Sequence, residues 1–121
     1  MSVKVIEGFA EQIRKSTNLV DFRLVHYRLS PASWKVLGKG LGQSKTLRTF
    51  RAQATNLNNN QNIANFLFEF KENQVIQKLD LSDNDLRDSQ GILVCEFLKK
   101  VSEKRDDQLW KKNLRKQTVQ D

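Results

Sequence analysis

Four aspartates lie close together in the stretch IQKLDLSDNDLRD, which spans residues 76–88. Clustered carboxylates are the ligands that calcium prefers, so the composition of this segment resembles a calcium loop. Counted from Asp80 or from Asp83, however, it lacks the glycine at the sixth place and the glutamate at the twelfth that an EF-hand requires. We therefore predict no metal and no other cofactor for this chain.

His26 is the only histidine and Cys95 the only cysteine. One of each cannot complete a zinc site, and a single cysteine cannot form an internal disulfide. We expect His26 to lie on the surface and Cys95 to be a small packing residue in a helix. The glycine-rich segment GKGLGQSK lacks the spacing of a phosphate-binding loop. Because no nucleophile, base and orienting group converge, the sequence predicts that the protein is not an enzyme.

Two arginines, Arg23 and Arg51, are 28 residues apart, and Asp80 follows 29 residues later. If these residues occupy the same place on neighbouring strands, each lies about 4.8 Å from the next. Two guanidinium groups at that spacing repel each other unless a carboxylate or another anion lies between them. Two interpretations stay open. Either Asp80 supplies the carboxylate within the chain, or the arginines bind an anion or an acidic side chain of a partner.

The elements that would align these residues form a repeated pattern. In residues 76–88, Ile76, Leu79, Leu81 and Leu86 take the first, fourth, sixth and eleventh places, with Asn84 at the ninth, as in one leucine-rich repeat. The same apolar places recur 29 residues upstream and again 28 residues before that, as Leu47, Phe50, Ala52 and Leu57, and as Leu19, Phe22, Leu24 and Leu29. The pattern predicts three strands whose intervening residues align in columns.

Four apolar stripes with helical spacing alternate with these strands. They consist of Ile6, Phe9, Ala10 and Ile13; Trp34, Leu37, Gly38 and Leu41; Ile63, Phe66, Leu67 and Phe70; and Gly91, Val94, Cys95 and Leu98. Spacing of i, i+3, i+4 and i+7 is typical of a helix with one buried face. Ser30 followed by Pro31 predicts the start of the second helix, and Gly42 its end. The expected class is therefore α/β.

Strands and helices that alternate every 28 to 29 residues resemble the leucine-rich repeats of ribonuclease-inhibitor-like proteins. The resemblance covers about residues 5–101 and implies a short right-handed solenoid, with about three parallel strands on one face and helices on the other. We divide it into a half repeat at 1–15 and repeats at 16–44, 45–73 and 74–103. Tyr27 and Thr55 replace the asparagine that Asn84 supplies in the third repeat, so we predict an incomplete side-chain ladder at the turns.

The C-terminal segment, residues 104–121, is predicted to be a basic helical tail. Solenoids need polar ends, so the tail is either a cap that folds back on the array or a basic helix that docks on a partner. Trp110 is its aromatic anchor, and Lys111, Lys112, Arg115 and Lys116 are its basic residues.

The resemblance implies binding by the exposed strand face, because that surface is where the family usually binds its partners. We predict a non-catalytic protein–protein interaction or structural subunit of a larger intracellular assembly, docking through the strand face and the basic tail. The formal net charge of +7 and the pI near 9.8 favour acidic protein surfaces as partners. The predicted partner-binding residues are Arg23, His26, Arg51, Asp80, Trp110, Lys111, Lys112, Arg115 and Lys116.

A second function stays open: the basic flanks could bind RNA or another nucleic acid, as in a ribonucleoprotein component. No apolar run reaches the length of a membrane span, and the N-terminus has no signal-peptide pattern. A cytoplasmic location is therefore expected. Small proteins of similar appearance are often parts of cytoskeletal or ciliary assemblies, which makes such an assembly an expectation by resemblance.

Overall fold

The computed structural model describes the backbone of residues 2–120 and the side chains of residues 2–104. This part of the chain forms one parallel, unclosed sheet in the order β1-β2-β3, together with four helices. The elements are α1 (Val3–Lys15), β1 (Asp21–Val25), α2 (Pro31–Gln43), β2 (Thr49–Gln53), α3 (Asn60–Phe70), β3 (Lys78–Asp80) and α4 (Asp88–Gln120). The predicted α/β class, the leading helix and the three parallel strands are confirmed.

The strand register agrees with the columns predicted from the sequence. Arg23 lies beside Arg51, and Arg51 lies beside Asp80. Likewise Phe22, Phe50 and Leu79 stand side by side on the three strands. The apolar residues of β2 are fully buried, while the residues between them are partly exposed. Strands of this kind present one face to the core and one face to solvent.

The helices contact one another in chain order within the described residues, α1 with α2, α2 with α3 and α3 with α4. Three glycines of α2 explain how close these contacts are. A Cβ added at Gly40 would lie 2.7 Å from the carbonyl oxygen of Ala10 on α1. Cβ atoms added at Gly38 and Gly42 would meet the backbone of α3. The central helix therefore needs small residues toward both of its neighbours.

Aromatic rings connect the strands to the helices in the core. Phe50 of β2 packs against Phe66 and Phe70 of α3, with ring centroids 5.3 and 5.9 Å away. Phe66 also meets Trp34 of α2 edge-on, and Phe70 stacks on Phe97 of α4. All five side chains are buried. Because burial of such large side chains is the main favourable contribution to folding, this cluster holds the layers together.

Short polar side chains stabilise the turns that lead into the strands. Ser16, Ser44 and Asn73 each accept hydrogen bonds from the backbone N–H groups two and three residues later. The three residues are separated by 28 and 29 positions, the same spacing as the strand pattern. Asn73 also donates 2.8 Å to the carbonyl oxygen of Leu41. Each turn is thus fixed locally, and the third is also tied to the end of α2.

The turns that follow the strands use two asparagines. Asn84 donates to the carbonyl oxygen of Ala52 and accepts from the backbone N–H of Thr55. One turn earlier, Asn56 has an equivalent role toward Leu29, bonding to both its N–H and its C=O, and it accepts from the indole of Trp34. We predicted gaps in the ladder at Tyr27 and at Thr55. Asn56, one place after Thr55, supplies the side chain that is missing at the second of these positions.

Four predictions about individual helix residues are wrong. Phe9 is 48% exposed, because within the described residues α1 has a neighbouring helix only on the side of α2. Cys95 and Leu98 are also exposed. Gly42 does not end α2 but lies buried within it, and Ser44 caps that helix.

The exposure of Cys95 and Leu98 has a simple cause. Among the residues of α4 whose side chains are described, Gln90 and Phe97 are buried, and Leu93 and Val94 are partly buried beside them. The buried face thus begins at Gln90, one residue before the predicted stripe. Gln90 stands where Ile63 stands in α3, and its amide accepts from the N–H of Arg87 and donates to Asn60.

The predicted helical tail corresponds to the second half of α4, which runs from Asp88 to Gln120. Lys104, the last residue whose side chain is described, forms a 3.1 Å ion pair with Glu72 just after α3. The side chains that would decide between a cap and a docking helix, those of residues 105–121, lie outside the described residues.

Candidate interaction site on the strand face

The exposed face of the sheet carries the two arginines that the sequence analysis selected. Arg23 on β1 is exposed, and Arg51 on β2 is partly buried beside it. The Nε atom of Arg51 is buried and has no hydrogen-bond partner among the described residues. A buried guanidinium N–H without a partner is unfavourable, so Arg51 is held in the fold with one of its donors unsatisfied.

Asp80, the next residue in the column, is engaged elsewhere. One carboxylate oxygen accepts 2.9 Å from the backbone N–H of Ser82, and the other accepts 3.4 Å from the amide of Gln53. Hydrogen bonds from the Ser82 hydroxyl and backbone, and then the charges of Lys78 and Arg51, lower the pKa of Asp80. The side chain is therefore a carboxylate that helps to orient Gln53.

No ion pair joins Asp80 to Arg51 within the part of the chain that the structure describes; the ion pairs found there are Arg14–Glu11, Lys15–Glu11 and Lys104–Glu72. The charge of Asp80 acts on Arg51 only through space. The first interpretation of the arginine pair, in which Asp80 neutralises Arg51 within the chain, is therefore met only in part, because the two side chains form no direct ion pair among the described residues. The pair keeps donors for a ligand.

The strand exits form a second part of this face. His26, Ala54 and Asp83, which occupy the same place in successive units, all have left-handed backbone angles, with φ of 63°, 53° and 61°. These angles turn the chain away from the sheet after each strand. His26 is exposed, as predicted for a surface histidine, and the exposed Arg28 follows it two residues later. Arg28 therefore adds a second exposed positive charge to the β1 side, beside Arg23.

The predicted site residues are only partly brought together. Arg23, Arg51 and Asp80 share one column, and His26 lies at the end of β1. The remaining predicted residues, Trp110, Lys111, Lys112, Arg115 and Lys116, lie on α4 beyond the residues whose side chains are described.

Sequence reasoning missed two features of this surface. The side-chain amide of Gln53 donates to both Asp80 and Ser82 and so joins β2 to the segment that contains β3. The only signal for this in the sequence was the place of Gln53 on the exposed side of the second strand pattern. Large apolar residues are exposed on the β1 side, namely Val20 and Tyr27 on either side of the strand and Phe9 on α1. A helix or strand with no neighbour on one side leaves apolar residues uncovered, so the end position of α1 was the signal for Phe9.

Residues 2–104 contain no group of three or more histidine, cysteine or acidic side chains placed to hold a metal ion. In the same part of the chain, no helix is long and apolar enough to cross a membrane. Comparison of the sequence with protein-family models and with curated proteins gives no match.

Proposed function

We propose that this protein is a non-catalytic interaction module of the leucine-rich-repeat type, which binds an acidic surface of a protein partner through its strand face. The observation that carries the proposal is the state of Arg23 and Arg51. They lie side by side on adjacent strands, Arg51 has a buried Nε atom without a hydrogen-bond partner in the described part of the chain, and Asp80 is held by Ser82 and Gln53.

A carboxylate from a partner fits this pair chemically. Guanidinium groups bind carboxylates through two parallel N–H···O bonds, which are about twice as strong as bonds between neutral groups. A single acidic side chain between Arg23 and Arg51 would also remove the repulsion of the two positive charges. Because Arg51 is partly buried, the interaction would be less screened by salt than a pair that is wholly in solvent.

The repeat character of the proposal is supported by hydrogen bonds that recur with the period of the apolar pattern. The serines and asparagine before the strands, Ser16, Ser44 and Asn73, all bond the backbone in the same way. Asn56 and Asn84 each bond a backbone group of the preceding unit. In proteins built of repeats each unit contacts only its neighbours, which is the order of contacts found for these helices and strands.

The basic tail is the second docking element of the proposal. Trp110 offers a large apolar contact, and the four basic residues Lys111, Lys112, Arg115 and Lys116 offer charge for the same acidic partner. Within the proposal the partner belongs to a larger intracellular assembly, and a cytoskeletal or ciliary assembly is the kind that the resemblance suggests. The protein supplies a surface to that assembly and no catalysis.

Peptide binding by variants of the strand face tests the proposal. A fluorescently labelled peptide of alternating glutamate and valine is titrated with the full chain at low salt. We expect Arg51→Ala and Arg23→Ala each to weaken binding by about ten-fold or more, because each removes a charge-assisted hydrogen bond. Arg51→Lys keeps the charge but loses the two-pronged contact, so it should weaken binding to a smaller extent.

The matched control is Lys35→Ala, which removes one exposed positive charge from α2, away from the strand face. It should leave the affinity almost unchanged. If Lys35→Ala weakens binding as much as Arg51→Ala, the attraction is a property of the net charge and the proposed site is wrong. If the peptide does not bind while single-stranded RNA does, with an affinity that falls steeply with salt, nucleic-acid binding replaces the proposal.

A further inference from the structure

The sheet has a free edge along β1. Within residues 2–104, β1 pairs with β2 alone. The carbonyl oxygen of Val20 accepts from the N–H of Thr49, and the N–H of His26 donates to Gln53, so the even-numbered residues of this segment bond toward β2. Alternate residues of a strand direct their N–H and C=O to opposite sides. The backbone groups of Asp21, Arg23 and Val25 consequently point away from β2, toward the free edge.

Proteins protect the edge strands of a sheet by shortening them, interrupting them with proline or bulges, covering them, or placing charged side chains on them. β1 carries two exposed charged residues, Asp21 and Arg23, but it is neither shortened nor interrupted by proline. β3, at the other edge, is only three residues long, whereas β1 has five residues and contains no proline. Two large apolar residues near the ends of β1 are exposed: Val20 is 51% exposed and Tyr27 47%. β1 thus presents a strand edge that is ready to pair.

Equivalent residues elsewhere in the chain show what is missing beside β1. Leu37 of α2 and Phe66 of α3 are buried, yet Phe9, which holds the same place in α1, is 48% exposed. Phe50 of β2 is likewise fully buried, but Phe22, its partner on β1, is only partly buried. The inner side of the sheet next to β1 therefore has uncovered apolar surface, which the apolar side chains of one more strand would cover.

The charges beside the edge determine the chemistry of that strand. Arg23 on β1 and Arg28 just after it are exposed and positively charged, and Asp21 is the one acidic residue in the range 21–28. Side chains directly opposite each other on neighbouring strands interact, and opposite charges stabilise the pair. A segment with acidic residues facing outward and apolar residues facing inward is complementary to this edge.

We propose that the free edge of β1 binds an extended segment of the partner, in which acidic and apolar residues alternate, as a fourth strand of the sheet. This proposal rests on the proposed function, because an acidic residue of the added strand meets Arg23. It goes further in stating that backbone hydrogen bonds to Asp21, Arg23 and Val25 contribute to binding. The side-chain contact selects the partner, and the backbone contact fixes its conformation.

Backbone methylation of the peptide separates these two contributions. The probe is an octapeptide of alternating valine and glutamate, compared with two versions that are N-methylated on every valine or on every glutamate. N-methylation removes the N–H donor of each methylated residue and leaves every side chain in place. Only one of the two versions therefore loses the donors that face β1. We expect one of the two versions to lose at least about ten-fold in affinity, since several hydrogen bonds are removed, and the other to bind much better.

The version that loses affinity also reports the direction of the added strand. In a parallel pair the inward-facing valines would direct their N–H groups to β1, whereas in an antiparallel pair the glutamates opposite Arg23 would do so. Equal affinity of both methylated versions for the protein would overturn strand addition. If the two methylated peptides bind equally well but Arg51→Ala still weakens binding of the unmethylated peptide, strand addition is wrong and the proposed function stands. If the unmethylated peptide does not bind either, both proposals fail.

A pair of protein variants gives an independent test. Asp21→Pro removes a backbone N–H that faces the free edge, at the first residue of an edge strand, where proline is tolerated. Asp21→Ala is the matched control, because it removes the same carboxylate and keeps the N–H. We expect Asp21→Ala to bind the acidic peptide at least as well as the wild type and Asp21→Pro to bind about three- to ten-fold more weakly. Equal binding by the two variants would contradict the proposal.

Discussion

Single polar side chains decide how each turn of this protein is made. Asn73 is the most demanding of them, because it is fully buried between two elements and uses both ends of its amide. Replacing a buried polar group of this kind leaves its partners without bonds, which is usually more harmful than the loss of the bond itself. Asn56 and Asn84 have the same character at the other end of the strands.

Asp80 illustrates how a charged residue can serve the fold and the site together. Its carboxylate accepts from the backbone N–H of Ser82 and from the side chain of Gln53, so it shapes the turn after β3 and holds a side chain of β2. The carboxylate remains within reach of the field of Arg51. A ligand carboxylate between the arginines would lie near Asp80, which disfavours ligands that carry more than one negative charge at that point.

The pH dependence of stability tests the role of Asp80. Folding lowers the pKa of Asp80 below its ordinary value of 3.8. A lowered pKa contributes stability at pH values above the ordinary pKa, and that contribution is lost as the pH falls through the folded-state pKa. We expect the melting temperature of the wild type to exceed that of Asp80→Asn near neutral pH, and the difference to shrink below about pH 4.

Thermal melts monitored by circular dichroism at a series of pH values measure this difference. The lowered pKa of Glu11, held by Lys15 and Arg14, affects both proteins equally and so cancels in the comparison. A gap between the two melting temperatures that stays constant down to about pH 2.5 would show that the carboxylate of Asp80 is not stabilised by folding.

At the scale of the elements, the helix row depends on close approach through α2. Gly38 and Gly42 face α3, and Gly40 faces α1. Glycine inside a helix normally costs stability relative to alanine, so three in one helix need a reason. The reason here is that α2 packs closely against a helix on each side. Alanine substitution should therefore lower stability at glycines that contact a neighbouring helix and raise it at glycines that have free space around them.

Alanine substitutions at Gly40 and Gly8 form a matched pair. The new methyl group at position 40 would lie 2.7 Å from both the Cβ and the carbonyl oxygen of Ala10, whereas position 8 has nothing within 4 Å. We expect Gly40→Ala to destabilise the protein by about 1 to 3 kcal/mol through overpacking. Gly8→Ala should stabilise it by about 0.5 to 1 kcal/mol through helix propensity. Urea unfolding measures both, and stabilisation by Gly40→Ala would disprove the close α1–α2 contact.

The elements also show where reading the sequence succeeds and where it stops. Period and register were predictable because apolar residues recur at fixed places, so the column of Arg23, Arg51 and Asp80 was correctly aligned. The buried face of α4 was not predictable. Its first buried residue is Gln90, and a search for spaced apolar residues does not detect a polar residue. The unpaired Nε atom of Arg51 depends on side-chain geometry, which spacing alone does not contain.

At the scale of the whole molecule, we expect stability to be greatest in the middle of the chain, because the elements there have neighbours on both sides. β2 is hydrogen-bonded on both sides, and α2 and α3 each pack between two helices. α1 contacts only α2 among the helices of the described part. In structures where each element depends on its neighbours, the end elements open first and the central ones open only with the whole. The free edge proposed for partner binding thus lies on an outer strand of the sheet and not on its central strand.

Hydrogen exchange in two core variants tests this gradient. Ile6 of α1 and Ile63 of α3 are both buried, and each truncation to alanine should cost about 2 to 5 kcal/mol locally. We expect Ile63→Ala to speed exchange in β2, α2 and α3 by the same factor, because those amides exchange through global unfolding. Ile6→Ala should speed exchange in α1 far more than in β2, because α1 opens separately. Amide exchange followed by NMR distinguishes the two patterns, and uniform acceleration by Ile6→Ala would mean that the chain unfolds as a single cooperative unit from its first helix onward.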